Sequence, residues 1–245
     1  TSVPNKPAIL PADFELSMPP SSLGLDEFYS KYVDAGGIPI VGSDKVGDRA
    51  FAVAYEIVTQ MLSASPEIRA AMVSNGAKVG IMGRSEVTID IPEHSDLDPF
   101  FDTRARGFGG TLSRPITTVG EENLMCDGTD AYLGENILIH EFSHGIYNLG
   151  LPFVVDGPEI LKAISESYAD ALSNGLWGNT YAATNVDEYQ AEGVQSWFNA
   201  NLQADPANGI HNHVDTRSEL MEYDENLANI LRKIYPDDSW VPSCP

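Results

Sequence analysis

Apolar side chains change period along the chain, and those changes predict its elements. Residues 1–23 carry Pro4, Pro7, Pro11, Pro19 and Pro20 without periodicity, so an extended N-terminal arm over the surface is expected. Residues 25–34 (LDEFYSKYVD) space their apolar positions like a short helix stopped by Gly36-Gly37, and 38–41 is a strand candidate. Within 44–62, Phe51, Tyr55, Val58 and Leu62 recur at helical spacing, which predicts the main helix of the first half. Ser65 followed by Pro66 reads as a cap and first-turn proline of a second helix ending near Gly76. Residues 77–90 alternate and predict two short strands around a Gly83-Arg84 turn. From 103 to 130 the pattern is loop-like, with one strand near 115–119.

Beyond 131 the pattern is helical. Ile137, Leu138, Ile139, Ile146 and Leu149 mark a buried helix. Asp156 and Glu159 bracket Pro158 as a capping box for a helix running to Gly175. A further helix is predicted from about Asn185 to Asn199, Thr216 with Glu219 caps a short one, and Asp224 caps ENLANILRKIY. Strands mixed with helices first and helices alone afterwards predict an α+β fold. Its first half holds a small mixed sheet, and a cleft separates an upper lobe of about 24–130 from a helical lobe of about 131–245.

Composition narrows the function classes. The 245 residues are 42% hydrophobic and 20% charged, an ordinary globular balance. A formal charge of −22 speaks against nucleic acid or an anionic membrane surface as partner, because both need a positive face. No apolar run approaches the ~18 residues of a spanning helix. The chain begins at Thr1 without a signal h-region and contains no Asn-x-Ser/Thr sequon, so a processed or trimmed chain is expected. Acidity favours a secreted, extracellular protein, and a monomer is expected. Cys126 and Cys244 are either bridged, closing a long loop, or two buried thiols.

The chemistry concentrates in ENILIHEFSHGIYNLG, 135–150, which contains His140, Glu141 and His144 as H-E-x-x-H. Residues four apart on a helix lie one turn above each other, so both imidazoles can meet one metal ion, and Zn²⁺ suits imidazole with carboxylate. Glu141 then projects beside the metal, where it can act as general base. A pair of core histidines around a glutamate would instead bury that charge without a partner. A catalytic zinc needs a third protein ligand and an open position. Glu166, in an E-x-x-x-D frame with Asp170, resembles the thermolysin-type pattern and is one candidate. Glu188, with Glu192 one turn later, is the other, and it could equally form a capping box with Asn185.

Tyr181, Thr184-Asn185, Glu188-Tyr189 and Ala191-Glu192 resemble the second zinc-binding segment of the anthrax lethal factor protease domain and its relatives. The resemblance covers about 60 residues, 138–198. It implies a zincin-like metallopeptidase domain in which His140, His144 and Glu188 hold Zn²⁺ and Tyr181, seven positions before Glu188, assists catalysis. It also makes Glu166 the rival rather than the ligand. Glu192 becomes a candidate hydrogen-bond partner of a zinc-bound histidine. The expected activity is hydrolysis of a peptide or protein substrate by zinc-activated water, with Glu141 as base. Rivals are a zinc hydrolase of another amide or ester, such as cell-wall material, and a non-catalytic binding protein stabilised by zinc. In this protease class an edge strand before the metal helix lines the cleft. Here that role would fall to 114–120, with Gly107, Gly109 and Gly110 allowing close backbone approach. His211 and His213 form a His-x-His with no third ligand nearby, His94 has less support, and Asp96, Asp98 and Asp102 lack the pattern of a calcium loop.

Overall fold

A computed structural model describes residues 14–243; the expected arm over 1–23 lies largely outside them, and only its final turns are seen. Strands β1 (Lys31–Ala35) and β2 (Ile38–Gly42) form an antiparallel hairpin closed by Gly36-Gly37, both at positive φ (67° and 92°). A two-residue hairpin loop of this kind needs left-handed backbone at both positions, which glycine adopts without steric conflict. The helix expected over 25–34 is therefore not formed. Val33 and Ala35 face inward while Asp34 faces outward, the period of a strand. Ser17 pairs with Tyr32 along the outer edge of β1.

Helices α1 (Asp48–Met61) and α2 (Pro66–Ser74) return the chain so that β3 (Lys78–Met82) runs parallel to β2. The second strand expected after Gly83-Arg84 is absent, because β3 already has β2 on one side and β5 (Ile116–Gly120) on the other. Residues 83–90 instead wrap around the buried Glu86 carboxylate, which accepts from Gly83 N–H at 2.7 Å and from the Ser43 hydroxyl at 2.6 Å. Segment 103–130 holds more than the one strand expected of it. Helix α3 (Phe101–Arg104), the short strand β4 (Gly107–Phe108), β5 and α4 (Glu121–Leu124) follow one another. The sheet order β1-β2-β3-β5-β4 makes β4 an edge, antiparallel to β5. The edge role expected of 114–120 thus belongs to Gly107–Phe108, since β5 is paired on both sides.

Helix α5 (Ile137–Gly145) packs across β4 and β5 and buries Leu138, Ile139 and Phe142. It runs on through one π turn, Ile146–Gly150. Helix α6 (Gly157–Ser173) has Pro158 in its first turn but no side-chain cap from Asp156, so the capping box expected there is absent. Helix α7 (Val186–Trp197) lies against α5, and α8 (Arg217–Tyr223) carries the expected Thr216–Glu219 box. Helix α9 (Glu225–Leu231) is capped by Asp224 and stops short of the predicted end. Trp177, Tyr189, Trp197 and Phe198 fill the core of this half. The fold is mixed α+β, as expected. Cys126 is disulfide-bonded, and the chain's other cysteine, Cys244, lies outside the described residues.

Candidate metal centre

Two caps set the rotation of α5. Buried Asn136 accepts the Ile139 N–H at 3.0 Å, and Asn123 accepts the Ile137 N–H at 2.8 Å. With the helix pinned at its start and its apolar side in the core, His140 and His144 emerge one turn apart on its other side, ring centroids 4.9 Å apart. On α7, Asn185 accepts from the N–H groups of Asp187 and Glu188, both at 2.9 Å. The carboxylate of Glu188 does not complete a box with Asn185. It turns instead to the two imidazoles: Glu188 Oε2 lies 3.0 Å from His140 Nε2 and 3.4 Å from His144 Nε2.

These three side chains offer one ligand atom each within 4.8 Å of one another. Ligands at 2.0–2.1 Å around a tetrahedral zinc stand about 3.3–3.4 Å apart, so the donor types and the short separations both fit that ion. Burial pushes the His140 imidazole toward its neutral form, but the hydrogen bond to Glu188 and the charges of Glu141 and Glu192 outweigh it and hold the ring protonated. Burial likewise pushes Glu188 up, yet its bonds to both histidines keep it well below the ordinary carboxylate range. A divalent cation between these atoms would take the place of the shared protons.

Around the donors stand groups that can move or hold protons. Burial raises the Glu141 carboxyl, opposed by the charges of His140 and His144. The Tyr181 ring stacks on His140 at 6.3 Å, and its hydroxyl donates to Glu188 Oε1 at 3.1 Å. Burial and the Glu188 charge keep that phenol protonated far above neutral pH. The backbone of 107–109 runs close over α5. A Cβ at Gly107 would meet Glu141 Cγ at 3.0 Å, and one at Gly109 would meet His144 Cβ at 2.3 Å, so only glycine allows this approach.

Behind His140 lies a polar layer that sequence reasoning found only in part. Gln195 Oε1 accepts from His140 Nδ1–H at 2.8 Å, which leaves Nε2 to face the donor cluster. Glu192, expected in this position, sits farther away, with Oε1 3.7 Å from the same nitrogen. Its side chain is held by Asn201 at 3.1 Å, and burial raises it to about 7. Gln195 in turn donates to Glu135 at 3.3 Å. His211 is buried with Nε2 3.7 Å from Glu135 and Nδ1 3.9 Å from Glu192, so it belongs to this layer. A signal for Gln195 was present: Glu188, Glu192 and Gln195 are spaced i, i+4, i+7 and share one helix face.

Other candidates are not brought here. Glu166 is 66% exposed and pairs with Lys162 at 3.3 Å along α6, apart from the cluster of His140, His144 and Glu188. His213 is exposed beside Tyr223. His94 is buried under the edge strand, its Nε2 3.1 Å from Thr118 Oγ1 and its ring against Phe108. Asp96 pairs with Arg114, while Asp98 and Asp102 accept from the N–H groups of Phe100 and Ile89, so all three serve local structure.

No family model and no curated protein matches the sequence. Among solved structures the chain is similar to a PRO-PRO endopeptidase, PPEP-2, from Paenibacillus alvei. The two are 18% identical, the match covers 76% of this chain and 92% of that one, and the TM-score is 0.46.

Proposed function

We propose that this protein is a zinc-dependent metallopeptidase that hydrolyses peptide bonds, with His140, His144 and Glu188 as metal ligands. The observation that carries the reading is the convergence of two imidazole nitrogens and one carboxylate oxygen from separate helices, with an additional glutamate, Glu141, beside them. The likeness of 138–198 to the lethal factor protease segment supports the same assignment. Bound Zn²⁺ would supply Lewis-acid activation of water and of the scissile carbonyl.

The chain's own groups do the rest. Glu141 takes the proton of the attacking water and returns it to the leaving amine. Its burial-raised carboxyl suits both halves of that task, because general acid–base groups work best with a pKa near the operating pH. Tyr181 remains protonated and is placed to donate a hydrogen bond to the developing oxyanion. Gln195 holds the His140 ring with Nε2 toward the cluster. A purely structural zinc site has no use for a free glutamate at this point and would close its fourth position with a side chain. A disulfide at Cys126 supports an extracellular place of action, where such bonds persist.

Metal analysis with peptide-library hydrolysis tests this. Glu188→Ala should lose zinc, and Glu166→Ala should keep it. Glu141→Gln should retain zinc while losing hydrolysis by several orders of magnitude. Tyr181→Phe should retain zinc and turn over about 10²–10³-fold more slowly. A zinc-loaded wild type that leaves the library uncut, or zinc retained by Glu188→Ala, would refute the assignment.

A further inference from the structure

The chain carries 36 acidic and 14 basic side chains, and most of its cations are spent on neighbouring carboxylates. Arg84, Arg106 and Arg114, which surround the same part of the fold, pair with Glu121, Glu122 and Asp96. Arg104 is different. It closes α3, is exposed, and among the described residues its guanidinium has neither an ion pair nor a hydrogen bond. Its position is nonetheless held from the backbone, since its carbonyl accepts from the Tyr132 hydroxyl at 3.0 Å.

That position shortly precedes the edge strand β4, which runs over the helix of the donors. Three residues further on, at most about 10 Å along an extended chain, the Gly107 backbone passes so close to Glu141 that an added Cβ would stand 3.0 Å from its Cγ. The Arg104 charge also acts on the hydroxyls of both Tyr132 and Tyr181, and the latter is hydrogen-bonded to Glu188. An unpaired cation therefore stands within electrostatic reach of a donor cluster whose carboxylates are Glu135, Glu141 and Glu188. A guanidinium presents a planar fork of donors matched to a carboxylate, and a charge-assisted pair of that kind selects among ligands more than it adds raw affinity.

We propose that Arg104 is a specificity determinant that receives a carboxylate of the bound peptide, from an acidic side chain or a free C-terminus, beside the point of hydrolysis. The proposal rests on the peptidase reading above. It gives a site rich in carboxylates one place where a negative group is welcome, so peptides lacking that group bind without a partner for Arg104.

Binding is measured on zinc-loaded Glu141→Gln protein, with and without Arg104→Met, so that no turnover is needed. Labelled short peptide pools differ only by Glu or Gln at each position and by a free or amidated C-terminus, and fluorescence anisotropy gives the dissociation constants. With Arg104 present, one of the two carboxylate sources should tighten binding about five- to tenfold over its neutral counterpart, the scale of a partly exposed charge pair. With Arg104→Met that ratio should fall to one or below, and Arg104→Lys should restore part of it. The arm that responds identifies side chain or terminus as the source. An identical ratio in both proteins overturns the proposal. So does an equal weakening of acidic and neutral pools, which would mean that Arg104 merely steadies Tyr132, or an absence of binding by every pool. Wild type that binds the pools with the Arg104 preference but cuts none refutes the peptidase reading alone.

Discussion

Gly109→Ala tests whether the glycine-bearing edge is what fixes His144. A Cβ there would stand 2.3 Å from His144 Cβ, 3.0 Å from Cγ and 3.2 Å from Cδ2. Ordinary carbon contacts lie near 3.5–4.0 Å, so either β4 or the His144 side chain must move by roughly 1 Å. Inserting a methyl into packed structure typically costs about 1–3 kcal/mol. If β4 swings out, its pairing with Val119 and Thr118 is strained. If His144 yields, its Nε2 leaves the position 3.4 Å from Glu188 and the donor set opens. Either way the variant should lose stability in urea by about 1–3 kcal/mol and bind zinc about 10–100-fold more weakly in chelator competition, the scale seen when a ligand's support is removed. Gly128→Ala is the control, because a Cβ there meets nothing within 4 Å, and it should stay within about 0.5 kcal/mol of wild type. A Gly109→Ala protein indistinguishable from the control in both assays would refute the reasoning.

Gln195→Leu removes the acceptor from His140 Nδ1, and zinc affinity should fall about 10–100-fold; chelator competition that finds no change would remove Gln195 from the support of the site. His94 supplies a pH test: burial and the Arg114 charge lower its folded value to about 4, while the unfolded chain titrates near 6.5. The unfolded state therefore takes up a proton between about pH 6.5 and 4 that the folded state refuses, so stability falls through that window, by about 2 kcal/mol after allowance for screening, and levels off below it. The stability gap between wild type and His94→Gln, measured by denaturant unfolding, should shrink by that amount from pH 7 to pH 4; a gap independent of pH would show that His94 is not the group responsible.

Long elements with a single strong period were legible from the residues, and short ones governed by partners were not. Phe51 and Val58 mark α1 because a helix of that length must present one apolar side to a sheet. Residues 25–34 failed because ten residues support either period, and the deciding fact is remote: the Gly36-Gly37 loop pairs 31–35 with β2. Whether 83–90 forms a strand depends on β5 occupying the side of β3 that a hairpin partner would need, and no local pattern carries that information. The short strand β4 was invisible for the same reason. Its residues are chosen for closeness to α5, which reads locally as a glycine-rich loop.

At the candidate metal centre, the H-E-x-x-H pair was readable because helical geometry alone brings His140 and His144 together. The direction of the Glu188 carboxylate was ambiguous in a way that charge resolves. Glu188 had two possible partners, the backbone N–H of Asn185 and the imidazoles of α5, and it cannot serve both. A hydrogen bond between ionised groups in a partly buried site is roughly twice as strong as one to a neutral amide, so the imidazoles win. Asn185, which needs no return bond to cap α7, still satisfies two N–H groups by itself. Glu192 lost its expected place beside His140 for a related reason. Glu188 and Glu141 already put negative charge around His140, and a third carboxylate in direct contact would carry further buried charge. Neutral Gln195 accepts the Nδ1 proton without adding any, and Glu192, raised to about 7, is left to Asn201.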